Sequence, residues 1–83
     1  MEYKLIKPIT KADGTKIETV TVKESFIGKD VRSVMNSKGE GDAQVVLAAC
    51  ATGLSVPVIE NMDARDVVLI NKAAKPFFAP GNE

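Results

Sequence analysis

The sequence predicts an α+β protein, in which an N-terminal β-hairpin packs against about three α-helices. Two segments rich in β-branched residues flank an Asp-Gly pair, which is typical of a hairpin. The segments that follow carry apolar residues at helical spacing, interrupted by helix-capping residues. At 83 residues the chain is long enough for one small domain. We divide it into a hairpin at 1–24, a helical part at 25–79 and a tail at 80–83.

The two predicted strands span residues 3–9 and 16–23. Asp13-Gly14 lies between them, and glycine tolerates the positive φ that a tight turn requires. Pro8 has no N–H to donate, which favours an edge position for the first strand. Ile17 has the opposite phase to the valines that follow it. This change of phase predicts either a bulge or a strand that is half-buried on both sides.

Two helices are predicted in the middle of the chain. The first follows a linker and ends before the turn-forming segment NSKGEG. Its apolar stripe consists of Ile27, Val31, Val34 and Met35. The second, with Asp42 as predicted N-cap and Gly53 just past its end, is apolar almost all round. Such a helix is buried in the centre of a domain or between two chains.

Two further helical segments complete the chain. Ser55 is the predicted N-cap of a short helix that has Pro57 in its first turn and runs through Glu60. Asp63 is the predicted N-cap of the last helix, which Pro76 should end or bend. The apolar stripe of this last helix consists of Val67, Ile70 and Ala74.

The charge of the chain is balanced, with 11 basic and 11 acidic residues. A net charge of zero gives no long-range attraction for nucleic acid or anionic lipid, so we expect neither partner. Residues 1–38 hold eight basic and five acidic residues, a net charge of +3, and residues 39–83 have a net charge of −3. This asymmetry fits head-to-tail contacts between copies, or simply two solvated surfaces of different composition. The sequence shows no signal peptide and no stretch of about 20 apolar residues, so we expect a cytoplasmic protein.

No catalytic, metal-binding or cofactor-binding residues are predicted. The chain has a single cysteine, Cys50, and no histidine, which leaves too few ligands for a Cys/His zinc site and no Cys–His pair. The acidic residues Glu60, Asp63 and Asp66 are better explained by the helix start, where carboxylates favour the positive end of the helix dipole. We therefore expect no enzyme activity.

Phe77 and Phe78 are adjacent near the end of the chain, so their side chains point apart. An exposed aromatic residue near a terminus is a plausible anchor for a partner. In so small a domain, however, both rings could equally close the core.

Four segments, taken in order, resemble one protein family: YKLIKPIT (3–10), DGTKIETVTVKE (13–24), LAACATGLS (47–55) and VIENMDARDVVLI (58–70). They are similar to the phage tail assembly chaperones of Mu-like and related contractile-tailed phages and prophages. The resemblance covers nearly the whole chain. One departure is Ser25, which follows Glu24 where the family usually has a Glu-Pro pair.

The resemblance implies a non-enzymatic chaperone that binds the tape-measure protein and keeps it soluble before the tail tube polymerises. It implies action in the host cytoplasm, absence from the mature virion and, with the apolar central helix, a homo-oligomer. Substituting either terminal phenylalanine by alanine should weaken tape-measure binding and leave the fold intact. The expected partner contacts are Val31, Met35, Val46, Ile70, Phe77 and Phe78.

Two other classes of function remain open at this point. One is a structural tail or baseplate component of the virion, although a tube subunit would normally need more sheet. The other is a small enzyme or metabolite-binding domain, which the lack of histidine and of a phosphate-loop motif disfavours.

Overall fold

The computed structural model describes residues 1–78. An antiparallel hairpin of two strands is followed by four helices, which confirms the α+β class, and each of the four helical segments predicted along the chain forms. The elements are β1 (Glu2–Thr10), β2 (Lys16–Thr21), α1 (Gly28–Met35), α2 (Glu40–Thr52), α3 (Val56–Glu60) and α4 (Ala64–Phe78). The predicted tail at 80–83 lies outside the described residues.

The turn of the hairpin forms at the predicted Asp-Gly pair. Gly14 has a φ of 91°, and its N–H donates to the Lys11 carbonyl at 2.9 Å. Asp13 Oδ1 accepts a hydrogen bond from the Thr15 N–H at 2.9 Å. A side chain at Gly14 would be strained at this φ, so the glycine sets the turn.

A large bulge interrupts the pairing of the two strands. Lys4 pairs with Thr19 and Ile9 pairs with Ile17, so residues 5–8 lie opposite a single residue of β2. A bulge was one of two alternatives predicted for the second strand, but the extra residues of the observed bulge belong to β1. Pro8 lies in this stretch, where its missing N–H costs no ladder hydrogen bond.

Helix α2 occupies the centre of the molecule, as predicted, and contacts β2 and all three other helices. Its small residues Ala48 and Ala51 are buried, which lets α4 approach closely. Outside α2, the buried apolar residues come from β1, β2, α3, α4 and the connections between elements; they are Leu5, Val20, Val22, Ile59, Met62, Ile70 and Ala74. None of the helices within residues 1–78 has the length and apolar composition needed to cross a bilayer.

The start of α2 differs from the prediction, because Gly39 and not Asp42 is its N-cap. Asp42 instead lies in the first turn, where its carboxylate accepts a hydrogen bond from the Lys38 N–H at 2.9 Å. The end of the helix is as predicted: Gly53 has a left-handed φ of 76°, and its N–H donates to the Ala49 carbonyl at 2.8 Å.

Helix α3 begins after Ser55 and ends at Glu60, as predicted, although the Ser55 side chain makes no capping hydrogen bond. Asp63 caps α4, since its Oδ1 accepts from the Arg65 N–H at 2.9 Å. Pro76 does not end α4, which continues to Phe78. Because Pro76 lies close to the end of the helix, it removes only one backbone hydrogen bond.

Candidate interaction surfaces

The acidic residues at the α3–α4 junction have structural roles. The Asp63 carboxylate pairs with the Arg65 side chain, whose Nε lies 3.0 Å from Oδ1. It also accepts a hydrogen bond from the Arg65 backbone N–H. These two hydrogen bonds lower the pKa of Asp63 to about 2. Within residues 1–78, no group of three potential metal ligands comes together.

Asp66 joins α4 to the hairpin. Its side chain is completely buried, and Oδ1 accepts from the Tyr3 hydroxyl and from the Ile6 N–H, both at 2.8 Å. Oδ2 accepts from the Lys7 N–H at 3.1 Å. The bulge frees these two N–H groups from the strand ladder, and Asp66 satisfies them. Asp66 does lie in the first turn of α4, but the sequence did not reveal this contact.

Tyr3 is affected by the same contact. Its burial, its hydrogen bond to Asp66 and the negative charge of that carboxylate raise the pKa of the phenol to about 12. The neutral hydroxyl is the form that can donate to the carboxylate, so the fold stabilises the protonated phenol.

The bulge leaves a shallow apolar depression between β1 and α4, which we call the β1–α4 groove. It has a volume of about 380 Å³ and is lined by Ile6, Ala64, Arg65, Val68 and Leu69. The side chain of Ile6 is 49% exposed and that of Val68 is 61% exposed. This cluster of exposed apolar side chains is a candidate interaction site.

A second exposed apolar surface lies on α1. We call it the α1 stripe; it consists of Ile27, Val31 and Met35, and Met35 is 72% exposed. No residue of α1 is buried, although Val34 is half-buried. The helix spacing predicted this stripe, but the stripe faces outward and not into the core.

Polar and aromatic contacts hold α1 in place. Lys23 Nζ lies 2.8 Å from Asp30 Oδ2, and it also lies over the Phe26 ring at 4.9 Å from the centroid. The Lys23 ammonium and the Ile27 N–H lower the pKa of Asp30. The Phe26 ring meets the Phe78 ring edge to face, with centroids 5.4 Å apart, which ties the start of α1 to the end of α4.

The six residues expected to contact a partner do not form one surface. Two of them belong to the α1 stripe, and Val46 is half-buried on α2. Ile70 lies in the core with no exposed surface. Phe77 is 42% exposed, whereas Phe78 is half-buried against Phe26, so the two adjacent rings do point apart.

The sequence did not single out the β1–α4 groove. A signal was nevertheless present, because Val68 and Leu69 are apolar residues outside the predicted stripe of the last helix. Once the stripe is buried, they remain on the opposite side of the helix. Ile6 gave no comparable signal, since its position depends on a bulge that Asp66 stabilises.

The chain is a small α+β protein with two exposed apolar surfaces. The family model described as "Phage tail assembly chaperone proteins, E, or 41 or 14" matches residues 2–79. The chain therefore belongs to this family, which confirms the resemblance found in the sequence and indicates a non-enzymatic role. No curated protein and no solved structure gives a significant match.

Proposed function

We propose that this phage tail assembly chaperone binds the tape-measure protein and keeps it soluble until the tail tube polymerises. The observation that carries the proposal is the exposure of two apolar surfaces, the β1–α4 groove and the α1 stripe. A long helical protein that awaits its tube exposes an apolar stripe of its own. Covering that stripe with a chaperone removes apolar area from water for both partners.

The small size of each apolar surface suits a partner that must later be released. A contact made by a few side chains is weak, but many copies on one long template are held together by their shared attachment. Tube subunits can then displace the copies one at a time. The chaperone would act in the host cytoplasm and would be absent from the mature virion.

The test is co-expression of the chain with the tape-measure protein encoded by the same phage or prophage. We expect the tape-measure protein to become soluble and to co-purify with several copies of the chaperone, counted by light scattering. Phe77→Ala should weaken this capture, because the Phe77 side chain is exposed and available to a partner. Phe78→Ala should also weaken it, but this change removes the contact with Phe26 as well. Two outcomes would contradict the proposal. In one, the tape-measure protein is soluble but no chaperone co-purifies with it; in the other, the chaperone is found in purified virions.

A further inference from the structure

We propose that the β1–α4 groove is the docking site for an amphipathic helix whose apolar stripe is flanked by Asp and Glu side chains. The groove offers apolar contacts from Ile6, Val68 and Leu69. Anchoring residues at helical spacing on a partner would fill such a concavity. Only the identification of this helix as part of the tape-measure protein rests on the proposed function. The location of the site and the charge of its occupant follow from the structure and do not depend on that function.

The backbone of β1 favours a helix over a strand as the occupant. A peptide that extends the sheet must exchange backbone hydrogen bonds with the edge strand. At the groove, the N–H groups of Ile6 and Lys7 already donate to the buried carboxylate of Asp66. Docking therefore has to use side chains, which is how a helix binds in a groove.

The charges around the groove favour an acidic partner. Arg65 lines the groove, but its guanidinium is paired with Asp63, so Lys72 is the main source of positive charge beside the groove. Lys72 is exposed on α4 three residues after Leu69 and four after Val68, which places it beside both. Asp66 is the only acidic residue of α4, and it is buried. Apart from Arg65, which pairs with Asp63, the exposed charged residues of α4 are Lys72 and Lys75, and complementary charges favour an acidic partner over a basic one.

The same charges disfavour a second copy of the chain as the occupant. Two grooves that met in a symmetric pair would present the same residues to each other. Each groove would bring its own Lys72 to the shared interface, and like charges brought together oppose association.

Two synthetic helical peptides with the same apolar stripe provide the test, one flanked by Glu and the other by Lys. We expect the wild-type chain to bind the Glu peptide about tenfold or more tightly than the Lys peptide at low salt. Amide NMR shifts caused by the Glu peptide should map to Ile6, Val68 and Leu69. Equal binding of both peptides, or shifts confined to α1, would overturn the proposal.

Three variants locate the binding site. Val68→Glu should reduce binding of the Glu peptide about tenfold or more, because it puts a like charge on the apolar face of the groove. Lys72→Glu should remove the preference for the Glu peptide. Met35→Glu makes the same kind of change on the α1 stripe and should leave binding unchanged. All three positions are exposed, so circular dichroism should show a wild-type fold for each variant. If Met35→Glu reduced binding of the Glu peptide as much as Val68→Glu does, the groove assignment would be refuted.

Co-expression with the tape-measure protein separates this proposal from the proposed function. Capture by wild type and equally by Val68→Glu would overturn the groove and leave the chaperone function standing. Failure of wild type to capture the tape-measure protein, with the Glu peptide still mapping to the groove, would overturn the proposed function and support the groove as an acidic-helix site.

Discussion

Asp66 determines how the hairpin meets the helices. A buried carboxylate is costly unless hydrogen bonds replace the water it loses, and here three donors do so. Two of those donors are backbone N–H groups of the β1 bulge, which would otherwise be unpaired. The carboxylate and the bulge therefore depend on each other, and together they place Ile6 beside α4.

Asp66→Asn should destabilise the protein by about 2–3 kcal/mol, the range for losing a hydrogen bond to a charged group and leaving a buried donor unsatisfied. The amide has one acceptor oxygen, so its NH₂ group must face either the Lys7 N–H or the two donors at Oδ1. Urea unfolding measures the loss. Glu60→Gln serves as the control, because Glu60 is an exposed carboxylate of the preceding helix. It should change the free energy of unfolding by less than about 0.5 kcal/mol. Similar stability of Asp66→Asn and the control would show that the three hydrogen bonds contribute little.

Tyr3 should make stability depend on pH in the alkaline range. Its pKa rises from 10.0 to about 12 on folding, so the unfolded chain loses this proton first. The stabilisation is fully present below pH 10 and is lost as the pH rises toward 12. Urea unfolding of wild type and Tyr3→Phe between pH 8 and about 11 isolates this effect from the lysines, which both proteins share. The stability advantage of wild type over Tyr3→Phe should shrink above pH 10; a constant difference would contradict the raised pKa.

At the scale of the elements, α4 has two distinct sides. One side buries Asp66, Ile70 and Ala74 against the hairpin and α2. The other side exposes Val68 and Leu69. The helix therefore fixes the fold and presents the groove at the same time, and a substitution on the exposed side can change binding without disturbing the core.

The parts of the fold that local chemistry controls were predictable from the sequence. The Asp13-Gly14 turn, the Gly53 helix end and the Asp63 cap each depend on a few neighbouring residues. The start of α2 was predicted three residues late, at Ala43, because Asp42 is a good N-cap residue that here accepts from the Lys38 N–H while lying in the first turn.

The groove was beyond local reasoning because it depends on a contact between residues far apart in the chain. Asp66 is 60 positions from Ile6, and the spacing of residues in α4 cannot show that a strand bulge supplies its donors. The apolar spacing predicts α1, but periodicity alone does not say which apolar residues face solvent: Ile27, Val31 and Met35 are exposed, whereas Val34 is half-buried.

At the scale of the whole molecule, the two apolar surfaces allow a division of labour. Copies arranged along one template need one surface for the template and another for their neighbours. If the groove holds the template, the α1 stripe is available for contact between copies. Head-to-tail contact would also suit the charge separation between the two halves of the chain, +3 and −3.

Met35→Glu should therefore weaken self-association, because it places a charge in the most exposed residue of the α1 stripe. Light scattering over a range of concentrations should show wild type as a multiple of the 8.9 kDa chain and the variant shifted toward a single chain. Thr19→Glu adds the same charge at an exposed polar position of β2 and should assemble as wild type does. Wild type that remains at 8.9 kDa would exclude self-association, and equal assembly of both variants would exclude the α1 stripe as its surface. A wild-type chain that remains single would leave the groove free to bind the template, since Met35 does not line it.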